Sequence, residues 1–433
     1  MPNHPARREP HAVETPRPVM DAEVRVPVSE LEARQDTLSR ALADAGIDHA
    51  LIQHPVDLHY LCGGRQTGSF WIPAHDAPGS VTQGGDGPVQ LVRRSVSRAV
   101  EDAGGDNAPH EVTSHPSLRV LGEYLQGRGA RTIPAMQLDN VPHSYIERFH
   151  SSLSSALDGP VRNVSPILHR LRETKSLWEL DQMRISAEVQ SEMFTAVMDG
   201  YQEGDTELDI AGIAEHVSRS HGYGGSVNCR RYPMSCDRAV VVSGRSGGIP
   251  SFFDSAVGGQ GSHPGAGMGA SLNTIGRDEP VLVDILHAHA GYIVDMTRMF
   301  VAGSLDDVWH ERLEQTLTIE TAVVDSLGRG DTCVTAWREG LAVAEELGVT
   351  DHLMGQKPDQ SRFLGHSVGL ELDESPVIAE GFDRPLPIGG VMAIEPKLVF
   401  DDGAIGIEDT WVRTSEGLEP LSHRDDWAPL IEW

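Results

Sequence analysis

Five polar residues in the second half of the chain each lie in a short apolar segment. Four are carboxylates and one is an imidazole, namely Asp284, Asp295, His366, Glu395 and Glu408. Removing a lone carboxylate from water is so unfavourable that such a group takes up a proton, pairs with a cation or binds a metal. The four acids cannot pair with one another, and one histidine cannot neutralise them all. The five residues therefore predict a metal cluster.

The segments that carry these residues have the composition of β-strands. Segments 281–286 and 291–300 are rich in β-branched and apolar residues, and each contains one of the acids. We expect two adjacent strands joined by a turn at 287–290, in which His287 and His289 face solvent. The other three residues lie in segments 363–374, 391–396 and 404–410. Strands flanked by glycines would thus carry all of the ligands.

A cluster of carboxylates and one imidazole suits two hard or borderline divalent ions. Mn²⁺ is the first choice, and Co²⁺, Fe²⁺ and Zn²⁺ are alternatives, whereas the lack of thiolate ligands argues against a structural zinc site. Two such ions lying close together lower the pKa of a bridging water, so that it attacks a carbonyl carbon near neutral pH. The cluster therefore predicts a hydrolytic metal centre.

The order of these motifs resembles that of the pita-bread metallohydrolases, which include methionine aminopeptidase, aminopeptidase P, prolidase and creatinase. The family pattern is Asp, a second Asp eleven positions later, Gly-His, Ile-Glu-Pro and an Ile-Glu-Asp strand. Here Asp295 follows Asp284 by eleven positions, and the other three motifs follow in the same order. Each fragment alone occurs by chance, whereas five fragments in this order are specific.

The resemblance implies an α/β (α+β) fold with a creatinase-like N-terminal α/β domain followed by a pita-bread catalytic domain. We expect these domains at 29–166 and 167–433, because 433 residues exceed one ordinary core. Residues 1–28 are polar and rich in proline, and they predict a disordered arm that is not a secretory signal.

The resemblance also implies a role for each residue of the cluster. Asp284, Asp295 and Glu408 would be shared or bidentate ligands, and His366 would complete one metal site. Glu395 would be both a ligand and a catalytic residue that handles the proton of the attacking water. The implied reaction is hydrolysis of an amide or amidine C–N bond. In most relatives the substrate is a peptide with a free N-terminus, often with proline as its second residue.

Four positions around the predicted site depart from the family pattern. Ser251 and Asp373 occupy the places of two histidines that bind the substrate carbonyl or donate a proton in the peptidases. Gly406 replaces an arginine that many prolidase-type members carry, and Ser367 replaces the second glycine of Gly-His-Gly. The metal core is intact while the residues that handle substrate have changed, which leaves specificity for proline peptides open.

Some neighbouring residues are expected to assist the reaction. His263 lies in a glycine-rich loop, 258–267, and either His263 or Asp373 would act as the catalytic residue that takes over proton transfer. The alternative for His263 is an ordinary solvated loop residue. Tyr292 and Arg298 flank the second metal aspartate, and we expect them to orient the carboxylates, with simple packing as the alternative.

Composition narrows the choice of partners and compartment. The formal net charge of −29 disfavours nucleic acid and anionic membranes as partners. Lysine is nearly absent, and the three lysines are Lys175, Lys357 and Lys397. The four cysteines lack paired spacing and indicate reduced thiols in a cytoplasmic protein.

By resemblance, we expect a homodimer that takes a small peptide or other small molecule as its substrate.

Three hypotheses follow for the function. The leading one is a cytoplasmic dinuclear Xaa-Pro aminopeptidase or dipeptidase. The first alternative is a non-peptide C–N hydrolase of a small zwitterion, like creatinase or an ectoine hydrolase, with a lyase acting on a small sulfonium acid as a more distant option. The second alternative is a non-catalytic binding scaffold on the same fold, which retention of all five ligands disfavours.

Overall fold

The computed structural model describes residues 24–225, 227–232, 234–236 and 239–433. Most of the predicted N-terminal arm therefore lies outside the described residues. No helix within these ranges combines the length and apolar character that crossing a bilayer requires.

The N-terminal half is a sheet covered by helices. Its elements are α1 (Val28–Asp44), β1 (His49–Ile52), α2 (Pro55–Cys62), β2 (Gly68–Pro73), β3 (Val89–Val92), α3 (Val96–Asp102), β4 (Glu111–Ser114), α4 (Leu118–Gly127), α5 (His143–Leu153) and α6 (Ser165–Glu173). In the described part of this half, four strands lie in the order β1-β2-β3-β4. Strand β2 is antiparallel to both β1 and β3, and β4 runs parallel to β3, which gives the mixed sheet expected of this α/β half.

The C-terminal half carries two larger sheets and four long helices in its described residues. Its elements are α7 (Leu177–Gly200), α8 (Glu207–Ser220), β5 (Ala239–Ser243), β6 (Val281–His289), β7 (Tyr292–Val301), α9 (Asp307–Arg329), α10 (Cys333–Glu346), β8 (Gly365–Ser367), β9 (Glu374–Val377), β10 (Val391–Ile394), β11 (Lys397–Phe400), β12 (Gly403–Gly406), β13 (Asp409–Arg413), β14 (Leu418–Pro420) and β15 (Leu430–Glu432). The described strands form the orders β15-β7-β6-β5, β14-β13-β10-β8-β9 and β11-β12.

The hairpin β6–β7 is longer than the sequence predicts. Strand β6 continues through His289, and the turn consists of Ala290 and Gly291, which have φ of 51° and 91°. Positive φ at both central residues suits a tight hairpin whose twist matches its strands. The prediction that His287 and His289 face solvent in a turn is therefore wrong, because both side chains are buried in the strand.

A continuous apolar core joins the two halves. One cluster of buried side chains includes Leu38 and Leu42 of α1 together with Tyr292, Val294 and Val412 of the C-terminal sheets. Helix α6 packs against both α1 and β9. Because α6 contacts both halves, the domain boundary near residue 166 stays a prediction.

Tyr292 anchors this junction rather than the metal site. Its hydroxyl donates to Glu179 Oε1 over 2.9 Å and accepts from Arg34 Nη2 over 2.9 Å. The prediction that Tyr292 orients the carboxylates of the site is therefore wrong. Its partners instead connect α1 of the N-terminal half to α7 and β7, which holds the N-terminal half against the catalytic sheets.

Candidate active site

Asp284 and Asp295 lie on one face of the hairpin β6–β7. Asp284 pairs with Thr297 across the strands, and Asp295 lies two residues before Thr297. Side chains two residues apart on a strand point to the same face, so the two aspartates are diagonal neighbours. The spacing of eleven positions follows from this geometry, because a two-residue turn fixes the register of the hairpin.

The other three predicted ligands come from the second sheet. His366 lies in β8 and pairs with Ala393 of β10, and Glu395 follows β10 directly. Glu408 lies just before β13 and forms a bridge with Thr297 of β7, with N–O distances of 3.2 and 3.4 Å. This bridge brings the two sheets together at the point where the five side chains meet.

The five predicted residues converge, but they do so around two different centres. Asp295, His366 and Glu408 each offer one ligand atom, and these atoms lie within 4.8 Å of one another. Asp284 and Glu395, together with Glu408, instead surround the ammonium group of Lys397, which lies 2.8–2.9 Å from all three carboxylates. No role for this lysine is predicted from the sequence.

The electrostatics of the cluster show that its negative charge is only partly compensated. Burial raises the pKa of Asp295 well above its usual value, and the carboxylates of Glu408 and Asp284 raise it further. Burial also raises the pKa of Glu408, to about 8, although Lys397 opposes this shift. Carboxyl groups whose pKa is raised in this way keep a proton near neutral pH unless another cation is present.

Glu395 and His366 form a charged pair within the same cluster. Burial acts to raise the pKa of Glu395, but Lys397 and His366 outweigh it and lower this pKa to about 2. Burial acts to lower the pKa of His366, but Glu395, whose Oε1 lies 3.3 Å from Nε2, raises it to about 9. His366 is therefore positively charged near neutral pH, and a metal that binds its nitrogen must displace this proton.

Asp295, His366 and Glu408 fit a divalent ion. Two carboxylates and one imidazole are ligands for Mn²⁺, Fe²⁺, Co²⁺ or Zn²⁺. Glu408 Oε1 is buried and accepts no hydrogen bond from the described residues. A buried carboxylate oxygen without a donor is costly, and a metal ion at this position would satisfy it.

Buried neighbours hold the ligands in place. Thr297 donates its hydroxyl to Glu408 Oε2 over 3.0 Å, and the Thr410 hydroxyl accepts from the backbone N–H of Asp295 over 3.0 Å. Arg298 donates to the backbone carbonyl of Glu408 over 3.0 Å. Arg298 therefore positions the strand that carries Glu408 and does not touch the carboxylates themselves.

A cavity of about 540 Å³ lies over the cluster and is lined by all five predicted ligands. Its volume lies in the range typical of small-molecule sites. Arg230, Arg231 and Asp373 also line it. The two carboxylate oxygens of Asp373 accept from the backbone N–H groups of Arg230 and Arg231, over 2.6 Å each, so Asp373 holds that part of the wall in place.

Unlike Asp373, His263 and Ser251 do not line the described cavity. His263 is exposed, and its Nδ1 accepts from the backbone N–H of Gly265 in the same loop over 3.1 Å. It does not belong to the residues that line the described cavity. Ser251 accepts from the backbone N–H of Phe253, and Phe253 rather than Ser251 lines the cavity.

A buried charge network connects the cavity to the N-terminal half. Arg172 of α6 lies 2.9 Å from Asp57 of α2 and 2.5 Å from Glu374 of β9. Lys175 approaches the other oxygen of Glu374 at 3.1 Å. Burial acts to raise the pKa of Glu374, but Arg172 and Lys175 lower it to about 2. No local sequence pattern indicates this network, because its members are far apart in the chain.

The fold and the acidic cluster together define a metal-dependent hydrolase with an added N-terminal domain. The chain belongs to metallopeptidase family M24, whose sequence model matches residues 181–415. Residues 34–174 match the Creatinase/Prolidase N-terminal domain. The family requires divalent metal, and the predicted class, a metal-dependent peptidase similar to Xaa-Pro dipeptidases, is confirmed.

Individual relatives are similar over nearly their full length. The Xaa-Pro dipeptidase of Pyrococcus furiosus is 21% identical over 393 residues, which are 90% of this chain and 98% of the relative. The Xaa-Pro dipeptidase of Lactobacillus helveticus is 24% identical and covers 92% of this chain and 98% of its own. The solved Xaa-Pro dipeptidase of Bacillus anthracis superposes with a TM-score of 0.74 at 21% identity, over 93% of this chain and all of its own. The predicted creatinase-like and pita-bread architecture is confirmed.

Removing the imidazole of the cluster should abolish tight metal binding. We expect His366→Ala, after reconstitution with Mn²⁺ and dialysis, to retain less than about a tenth of the wild-type metal, because the site loses its nitrogen ligand. His263→Ala is the matched control and should retain the wild-type amount. The measurement is elemental analysis by mass spectrometry. Equal metal in His366→Ala and the wild type would contradict the assignment.

The charge network should make stability depend on acid pH. Since Glu374 has a folded pKa of about 2 and an ordinary value of 4.5, its ionised form stabilises the fold above pH 4.5. This contribution, about 3 kcal/mol at most, is lost as the pH falls from 4.5 towards 2. Urea unfolding at pH 7 and pH 3.5 should therefore show a smaller loss of stability in Glu374→Gln than in the wild type.

The control for this measurement is Glu380→Gln, which removes an exposed carboxylate. Its unfolding free energy should change with pH as that of the wild type does. The interpretation is wrong if Glu374→Gln and the wild type lose the same stability between the two pH values.

Proposed function

We propose that the protein hydrolyses the bond before proline in Xaa-Pro dipeptides. The observation that carries this proposal is the convergence of five family-type ligands in one cavity of a chain that belongs to the M24 metallopeptidases. The similarity to Xaa-Pro dipeptidases over 90% of the chain supports the substrate class.

The residues of the cavity suit this reaction. A bound divalent ion would activate water and polarise the substrate carbonyl. Glu395 lies at the cavity wall and is ionised near neutral pH, because Lys397 and His366 lower its pKa, and it is the acceptor we propose for the proton of the attacking water. Arg231 is exposed, lines the same cavity and pairs with Asp254, and we propose that its guanidinium group also contacts the carboxylate of a dipeptide.

The proton that Glu395 takes from the attacking water must reach the leaving amine, and we propose that Asp373 relays it. Asp373 lines the cavity, whereas His263 bonds within its own exposed loop. Asp373→Asn should lower kcat by about 100-fold, with little change in KM. His263→Ala should keep the wild-type kcat. A loss of kcat in His263→Ala, with the wild-type kcat kept in Asp373→Asn, would instead assign proton transfer to His263.

The alternative is a non-peptide C–N hydrolase of a small zwitterion. It is favoured by Ser251 and Asp373, which stand where the peptidases carry histidines that handle the substrate carbonyl. Such a substrate would use the same acidic cluster and the same cationic wall, and it differs from a dipeptide in lacking the proline ring.

The proposal includes the metal, the compartment and the assembly. Mn²⁺ is the preferred ion because carboxylates dominate the donor set. The chain would act in the cytoplasm as a homodimer, in line with its composition and its family resemblance. Light scattering on the purified chain tests the assembly and should give twice the mass of one chain.

A substrate panel tests the function directly. After reconstitution with Mn²⁺, the protein should cleave Xaa-Pro dipeptides with kcat/KM at least about tenfold above matched Xaa-Ala dipeptides, longer Xaa-Pro peptides, creatine and a cyclic amidine. Glu395→Gln should lower kcat/KM by about 100-fold or more, because the proton acceptor is lost. Glu416→Gln, an exposed change in the same half, is the control.

Cleavage of creatine or the cyclic amidine without cleavage of any peptide would overturn the dipeptidase proposal and favour the alternative. Peptide cleavage that persists at the wild-type rate in Glu395→Gln would contradict the role of Glu395.

A further inference from the structure

Lys397 is a buried cation inside the acidic cluster. It begins β11, directly after Glu395 and Pro396, and only 2% of its surface is exposed. Glu395 and Lys397 are two residues apart in an extended segment, which directs both side chains to the same side. A lysine that is buried to this extent is rare unless it is paired.

Every hydrogen-bond donor of this lysine is in use. Lys397 Nζ donates to Asp284 Oδ2 over 2.9 Å, to Glu395 Oε2 over 2.8 Å and to Glu408 Oε2 over 2.8 Å. An ammonium group has three N–H donors, so these three contacts saturate it. Three carboxylates that converge on a single cation within hydrogen-bond distance form the same kind of oxygen cage that a divalent ion would need.

The two cluster residues that Lys397 does not contact lie together with Glu408 at a single site. Asp295, His366 and Glu408 each offer a ligand atom there, within 4.8 Å of one another, and Glu408 Oε1 has no hydrogen-bond donor among the described residues. Glu408 therefore faces both centres, with Oε2 on the lysine side and Oε1 without a hydrogen-bond donor among the described residues. The cluster thus has two cation sites, one filled by the Lys397 ammonium group and one that could hold a metal ion.

The neighbouring strand leaves room for this lysine. Gly406 of β12 is the cross-strand partner of Lys397. A Cβ atom at Gly406 would lie 2.5 Å from Lys397 Cγ and 2.9 Å from Lys397 Cα. Any side chain at 406 would therefore displace Lys397. The departure of Gly406 from the family pattern and the presence of Lys397 are two parts of one arrangement.

We propose that the Lys397 ammonium group takes the place of a second divalent ion, so that the chain binds a single metal at Asp295, His366 and Glu408. This inference rests on the metal dependence stated above and replaces the expectation of two ions. Asp284 and Glu395 then act as partners of Lys397, and Lys397 serves as a fixed positive charge beside the metal.

Metal stoichiometry tests this proposal independently of the substrate. The chain is freed of metal with a chelator, reconstituted with excess Mn²⁺ or Co²⁺, dialysed and analysed by native mass spectrometry. We expect one ion per wild-type chain. Lys397→Met removes the ammonium group but keeps an unbranched side chain of similar length, and Lys397→Gly leaves a space. We expect at least one of these variants to bind two ions.

Lys357→Met is the matched control, because Lys357 is exposed and pairs only with Asp351 among the described residues. It should bind one ion, like the wild type. The spectrum of the Co²⁺ form gives a second readout, since a single ion shows an uncoupled paramagnetic signal and two adjacent ions show a coupled one. Circular dichroism identifies any variant that does not fold.

Two ions in the wild type would overturn the proposal even if neither variant folds. One ion in folded Lys397→Met and in folded Lys397→Gly would also overturn it, because the lysine would then not be what excludes the second metal. These results do not depend on which substrate the protein cleaves, so failure of the dipeptidase proposal is distinguishable from failure of this one.

Discussion

Mutual repulsion among four clustered carboxylates, of which Asp295, Glu395 and Glu408 are buried, is the constraint on which the rest of the structure depends. Asp284, Asp295, Glu395 and Glu408 are brought together by two different sheets, and the fold must compensate their charge. Lys397 and His366 compensate part of it, and the raised pKa values of Asp295 and Glu408 show that the compensation is incomplete. A divalent ion held by Asp295, His366 and Glu408 would complete this compensation.

The architecture serves to hold these charges at fixed positions. The tight turn of the β6–β7 hairpin sets the two aspartates on one face, and the bridge between Thr297 and Glu408 joins the hairpin to the second sheet. Arg298 ties the same two segments through backbone carbonyls. On the other side of the cavity, Arg172 links Glu374 to the N-terminal half. The acidic cluster and the wall of the cavity are therefore connected through the same set of contacts.

Much of the site was predictable because its residues follow local rules. A spacing of eleven positions reports a hairpin with a two-residue turn, and acids in apolar strands report a buried cation. The error at His287 and His289 arose because alternation of His and Ala suits both a turn and a strand, and only the pairing with β7 decides between them. Lys397 was present in the sequence beside Glu395, yet its contacts with Asp284 and Glu408 depend on tertiary structure. The Arg172 network was unpredictable for the same reason.

The departure from the family pattern at the cavity wall leaves this charge frame intact. Asp373 lines the cavity, and the five residues of the acidic cluster converge on the same cavity. Anomalous X-ray diffraction from crystals of the Mn²⁺-reconstituted protein tests the central claim most directly. The account predicts one anomalous peak, between Asp295, His366 and Glu408, with Lys397 beside it. Two results would contradict this expectation. One is the absence of an anomalous peak between Asp295, His366 and Glu408, and the other is a second peak among Asp284, Glu395 and Glu408 with Lys397 displaced.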